Sequence, residues 1–186
     1  MMKKLIKVSL ASALLFTGIA AVEPTHAEAA TVSQFNAGKA VSTYQLNMEI
    51  LKLINNERRA NGVAPLQYNT NKYVLSGTNT RAYEVTKYFS HYRPNGTLFN
   101  TAFASSVKPY VRGENVMRRS LRTGETPTTN AKYLARVMFE QWKQSPDHRQ
   151  NMLRKSFKKA SLSVKVAYDA KKKKNYYYAV QIFTTK

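Results

Sequence analysis

Two of the chain's three histidines stand in short polar runs. His91 closes Tyr88-Phe89-Ser90-His91, and His148 lies in Ser145-Pro146-Asp147-His148-Arg149. Between them Gly113-Glu114-Asn115 places one carboxylate in a strongly basic stretch. A neutral imidazole can ligate a metal or accept a hydrogen bond, and a carboxylate can ligate, act as a base, or fix an imidazole tautomer. His91, Glu114 and His148 are therefore candidate ligands for a divalent metal such as zinc, with an open position for water. Without metal, the same groups could form a hydrogen-bonded cluster in a cleft, or serve only to satisfy loop carbonyls. Residue types and spacing leave ligand binding, catalysis and structure all open.

Ser145-Pro146-Asp147-His148 reads as a helix start. Serine suits the N-cap, proline the first helical position, and aspartate the positive end of the dipole. His148 then falls at about the third helical residue, where that dipole disfavours the imidazolium. A serine triad with Ser90 or Ser145 finds no Gly-x-Ser-x-Gly elbow, and Ser145 is expected to cap its helix backbone instead.

The elements that must position these residues follow from periodicity. A capping box at Ser42 and Gln45 opens a helix with Leu46, Ile50, Leu53, Ile54 and Glu57 at helical spacing, and Gly62 stops it. A second helix is predicted from about Asn71 to Tyr88, with Val74, Leu75, Thr78, Ala82, Val85 and Phe89 as its stripe; Gly77 weakens it. A short helix near Phe99–Ser105 and a strand over Val111–Arg118 carrying Glu114 come next. The polar stretch 118–130 reads as an exposed loop. The helix from Ala131 to Lys143 is expected to bury Tyr133, Leu134, Val137, Met138, Gln141 and Trp142. Two alternating strands close the chain, one over residues 161–168 and one over residues 177–183. Both faces of the second are apolar enough to be covered. The run Lys171–Lys174 forms the turn between them, either merely solvated or in contact with a polyanion.

The N-terminus, Met1-Met2-Lys3-Lys4-Leu5-Ile6-Lys7 followed by an apolar run from Val8 to Val22, has the form of a signal peptide. Cleavage is expected after Ala29 or Ala27; a retained membrane anchor is the competing reading. The division is residues 1–29 as signal peptide, 30–41 as leader or linker, and 42–186 as one domain. Export would remove His26, and with it only Lys3, Lys4, Lys7, Glu23 and Glu28 among charged residues. The full chain carries a formal net charge of +20, so the exported part stays strongly basic. Such a charge attracts anionic lipid, phosphate-rich wall polymer or another polyanion. No zinc-finger, RRM or helix-turn-helix signature turns it into specific nucleic-acid readout. The chain has no cysteine, which excludes a thiolate nucleophile and disulfides.

Five ordered motifs resemble the CAP superfamily, which comprises cysteine-rich secretory, antigen 5 and pathogenesis-related proteins, in its bacterial secreted branch. They are Leu53-Ile54-Asn55-x-Glu57-Arg58-Arg59-x-Asn61-Gly62, Phe89-Ser90-His91, Gly113-Glu114-Asn115, Trp142-x-x-Ser145-Pro146-x-His148-Arg149-x-Asn151 and Tyr178-x-x-Gln181-x-Phe183. The resemblance implies an α+β fold, an α-β-α sandwich with a central antiparallel sheet between helical layers. It also implies a cleft where His91, Glu114 and His148 meet and where relatives bind divalent metal. The second cleft glutamate of animal and plant members is replaced here by Ser145. The leading expectation is a secreted domain binding an anionic or amphipathic surface ligand. The rival is a metal-assisted hydrolase of peptide or wall using the same three residues. An interaction protein with a vestigial cleft stands third.

Overall fold

The computed structural model describes residues 43–120 and 131–186. The signal peptide, the leader, Ser42 with its capping role, and most of the 118–130 loop lie outside the described residues.

Helix α1 (Thr43–Ala60) runs until Gly62 turns the chain in the left-handed region at φ +67°. Strand β1 (Gln67–Tyr68) follows, and Asn71 then caps α2 (Lys72–Lys87) by accepting from the Tyr73 and Val74 amides. Two 3₁₀ turns, Phe99–Ala102 and Lys108–Tyr110, lead into β2 (Val111–Ser120). Helices α3 (Ala131–Gln144) and α4 (Pro146–Leu153) precede the hairpin of β3 (Lys159–Asp169) and β4 (Lys174–Thr184).

The strand order is β1-β3-β4-β2. The sheet is antiparallel except at β1, which runs parallel to β3 and makes it mixed. Backbone bonds from Gln67 N to Lys158 O and from Asn69 N to Ala160 O help to hold that short strand.

Alternation along β4 divides the core in two. Tyr177, Ala179 and Phe183 meet Ile50 and Ile54 of α1, Leu134, Met138 and Trp142 of α3, and Met152 of α4. Tyr178, Val180 and Ile182 meet Val74, Ala82 and Val85 of α2, with Phe103 and Val107. Both faces of the sheet are thus covered by helices, as the α+β sandwich expectation requires.

Two local readings change. The buried face of α3 is Leu134, Ala135, Met138, Phe139 and Trp142, while Tyr133 and Gln141 point outward. The stripe is rotated because Ala135 and Phe139 join the cluster that packs against α1. In α2, Arg81 takes the place on the buried stripe that apolar counting denies it, and Phe89 is exposed. Gly77 is explained by packing: the ring of Phe103 lies where its Cβ would stand.

Arg58 is fully buried, and its hydrogen bonds run to backbone rather than to a carboxylate. It donates instead to four carbonyls: Ala64 at 2.7 Å, Met152 at 2.7 Å, Arg154 at 3.2 Å and Phe157 at 3.3 Å. One guanidinium therefore ties the end of α1 to the chain leaving α4. Burial lowers its pKa.

Gly77→Ala is expected to cost about 1–3 kcal/mol by overpacking against Phe103, measured by urea denaturation. A variant as stable as the parent would contradict this packing.

Candidate functional site

Strand β2 lies at one edge of the sheet, and its residues point alternately into the two layers. Glu114 faces the α2 layer and Asn115 the layer of α3 and α4. Gly113 precedes them because a Cβ there would come within 2.7 Å of the Phe157 ring, which stacks on Phe183. The Gly-Glu-Asn order thus admits an aromatic stack, then sends one polar side chain to each layer.

On the α2 side, the Glu114 side chain is fully buried and meets Arg81, also fully buried, through two bonds: Nε to Oε2 at 2.8 Å and Nη2 to Oε1 at 3.2 Å. Arg81 further donates to Glu84 at 2.9 Å and to the Ser90 carbonyl at 2.8 Å. Arg93 completes the chain by holding Glu84 at 2.7 Å. Burial alone would lower the Arg81 pKa, but its bonds to Glu114 and Glu84 outweigh this and raise it. For Glu84, burial pushes upward, and the bonds from Arg93 and Arg81 win and lower it. The network fixes both the Ser90 carbonyl and Glu114, and so fixes the loop that presents His91. His91 Nδ1 lies 3.0 Å from Glu114 Oε1, and its side chain is half exposed. A carboxylate facing Nδ1 selects the tautomer with the proton there and leaves Nε2 as the remaining nitrogen.

On the other side, Asn115 donates to the His148 carbonyl at 3.2 Å and accepts from Asn151 at 3.0 Å. Asn151 also reaches the Glu114 carbonyl at 3.3 Å, and Trp142 Nε1 reaches the Val116 carbonyl at 3.4 Å. These bonds satisfy outward carbonyls of the edge strand and seat α4 on it. Pro146 opens α4, so His148 is its third residue, as the sequence predicts. Ser145 occupies the N-cap position, yet its side chain makes no capping bond; the helix start rests on Pro146 and on the bond from the Arg149 amide to the Ser145 carbonyl. On the outer face, Glu57 receives Lys143 at 2.8 Å and Arg149 at 2.7 Å, which hold its pKa below the usual value.

His91 and His148 thus come from opposite layers and line one cleft of about 340 Å³ at the sheet edge, with Phe89, Val116, Arg118 and Gln141. Glu114 is not among its lining residues. His148 is held below its ordinary pKa, first by burial and then by the charge of His91, with Asp147 partly opposing. Among the described residues, no group of three or more His, Cys, Asp or Glu is placed to hold a metal.

Arg81, Arg118 and Gln141 were not anticipated from the sequence as site residues. The spacing of Arg81 and Glu84, three apart on a helix face, was the available signal for the first. Nothing local marks the other two.

The family model for CAP, the cysteine-rich secretory protein family, matches residues 51–183. The chain belongs to the CAP family. A search of curated proteins found no match. Among solved structures, this CAP domain is similar to an extracellular protein containing an SCP domain from Bacillus anthracis, at TM-score 0.47 and 16% identity, covering 78% of this chain and 42% of that one. An outer surface protein of Borrelia burgdorferi matches at TM-score 0.47 and 11% identity, covering 74% of this chain and 90% of that one. A cysteine-rich secretory protein of Staphylococcus aureus matches at TM-score 0.44 and 16% identity, covering 78% and 40%. The CAP domain therefore spans less than half the length of the Bacillus and Staphylococcus chains.

Two outcomes check the site. Arg81→Met should cost about 3–5 kcal/mol by leaving Glu114 and Glu84 without their buried partner, and Arg81→Met/Glu114→Met should recover part of it. Urea denaturation of both reads the difference, and a mild single variant would count against the network. The second outcome concerns pH. Since the folded pKa of His148 lies below its unfolded value, its neutral form supports the fold above about pH 6.5, and that support is lost as pH falls toward the folded pKa. His148→Gln should therefore lose less stability than the parent on acidification; equal losses would contradict it.

Proposed function

We propose that this CAP domain is exported and binds an anionic or amphipathic ligand of the cell surface, receiving a phosphate or carboxylate group between His91 and His148. The observation that supports this reading is the make-up of the cleft. Two imidazoles, the Gln141 amide and the Arg118 guanidinium border it, no carboxylate lines it, and Phe89, Val116 and Met117 give it apolar walls. Such walls suit the hydrocarbon part of an amphipathic ligand. The basic chain supplies long-range attraction, and the sequence of residues 1–29 supplies the export reading.

The same geometry bears on metal binding. Glu114 gives both carboxylate oxygens to Arg81 and one of them also to His91 Nδ1. As a third ligand it would have to abandon a buried guanidinium, so the set of His91, Glu114 and His148 does not fit a resident zinc. Two imidazoles remain, with Glu114 orienting one of them. A metal-assisted hydrolase would also need a base in the cleft, and the engaged Glu114 is poorly suited to that role.

The test is a titration with inorganic phosphate followed by NMR of the imidazole resonances. Signals of His91 and His148 should shift together, and binding should weaken as ionic strength rises. His91→Ala/His148→Ala should abolish it. Phosphate shifts confined to other residues would overturn the proposal, as would turnover of casein or purified wall that vanishes in His148→Ala.

A further inference from the structure

Beyond the end of α2 at Lys87, the sheet face that it packs on continues toward the β3–β4 turn. Register places Arg118, Tyr178 and Lys165 side by side across three strands, with Tyr176 and Ala167 in the next row. Arg118 is exposed and lies 5.1 Å from the ring centre of Phe89 and 5.9 Å from that of Tyr176. Lys172 in the turn lies 5.8 Å from the same Tyr176 ring. Phe89 meets Tyr178 edge to face at 6.3 Å, and Tyr176 lies 6.2 Å from Tyr178. Phe89 and Arg118 also line the histidine cleft. A continuous strip of cations seated on aromatic rings thus runs from the lysine-rich turn to the cleft mouth. Asp169 is the acidic residue at its end, and its carboxylate accepts from the Lys172 amide.

We propose that this strip binds a linear phosphodiester polymer with sugar or polyol units and guides it to the cleft, a reading that rests on the anion-binding role proposed for the histidines. Charge complementarity commits the surface to a polyanion, since Arg118, Lys165 and Lys172 outnumber Asp169 there. The rings decide which polyanion. Arg118 and Lys172 lie against Phe89 and Tyr176, so ring surface that would stack bases is occupied by cations. The strip offers pre-oriented N–H donors rather than bare stacking platforms, which suits phosphates along a chain without bases. Membrane docking is not favoured, because insertion needs protruding apolar groups free of charge, whereas the exposed Phe89 carries Arg118 on its ring, Tyr176 is half-buried under Arg118 and Lys172, Tyr178 is buried, and the turn is Lys171-Lys172-Lys173-Lys174.

The experiment uses the chain without residues 1–29 and synthetic poly(glycerol phosphate), with affinity measured over a series of salt concentrations. Lys165→Glu/Lys172→Glu is compared with Lys52→Glu/Lys108→Glu, a pair of exposed lysines elsewhere that gives the same net charge. The strip variant should lose about tenfold or more in affinity and about two in the slope of log K against log salt, with the control within about twofold of the parent. Should Lys165→Glu disturb the strand, Arg118→Gln alone is expected to weaken binding and lower the slope by about one. Equal losses in strip and control variants would overturn the proposal. So would binding of oligo-deoxythymidine with equal affinity and equal sensitivity, or a strip effect seen only on anionic phospholipid vesicles. The two proposals fail separately. Loss of the strip effect leaves the phosphate shifts of the histidines intact, and loss of those shifts leaves the strip effect intact.

Discussion

The buried pair between Arg81 and Glu114 is the constraint on which the site depends. Both side chains are fully out of water, so neither tolerates the loss of the other. Arg81 stands on a helix above the sheet and Glu114 on its edge strand. Their union fixes how α2 sits on β2, and the spare guanidinium nitrogen fixes the Ser90 carbonyl. His91 is then held from two directions, by its backbone neighbour and by the carboxylate at Nδ1. A buried ion pair is a poor source of net stability, but it is demanding about geometry, and here that geometry sets one wall of the cleft.

The other wall uses a different device. His148 stands on a helix of only eight residues, too short to hold its orientation by itself. Neutral amides do the work: Asn115 and Asn151 bond to each other and to the carbonyls of His148 and Glu114. Arg58 secures the far end of the same helix through the Met152 and Arg154 carbonyls. Residues 114 and 115 are neighbours on one strand, so the two walls share a common reference. This is the physical sense of the Gly113-Glu114-Asn115 run: an omitted Cβ, then one anchor for each layer.

Much of this was legible. The alternation in β3 and β4, the proline-led start of α4, and the covered faces of the last strand all appear in the sequence because each depends on neighbours within a few residues. The face of α3 is not legible in the same way, because Tyr133 and Gln141 are compatible with helical spacing, and only packing on α1 selects Ala135 and Phe139 instead. Gly77 reads as a weakness in α2, and only Phe103, distant in sequence, accounts for it by filling the space beside it. The burial of Arg81 and of Arg58, the latter present in the sequence only as part of a motif, is not legible there, because charged residues are read as solvated unless a buried partner is known.

By itself the sequence determined the family, the layered α+β architecture, and the identity of His91, Glu114 and His148 as the residues to watch, since motifs and periodicity are local properties of the chain. Tertiary structure decided their surroundings. It turned Glu114 away from the cleft toward Arg81, brought two histidines from opposite layers to one sheet edge, and added Arg118 and Gln141 beside them. Those outcomes depend on which groups meet after α2 and α4 dock on β2, and linear order does not encode the direction in which a carboxylate finds its partner.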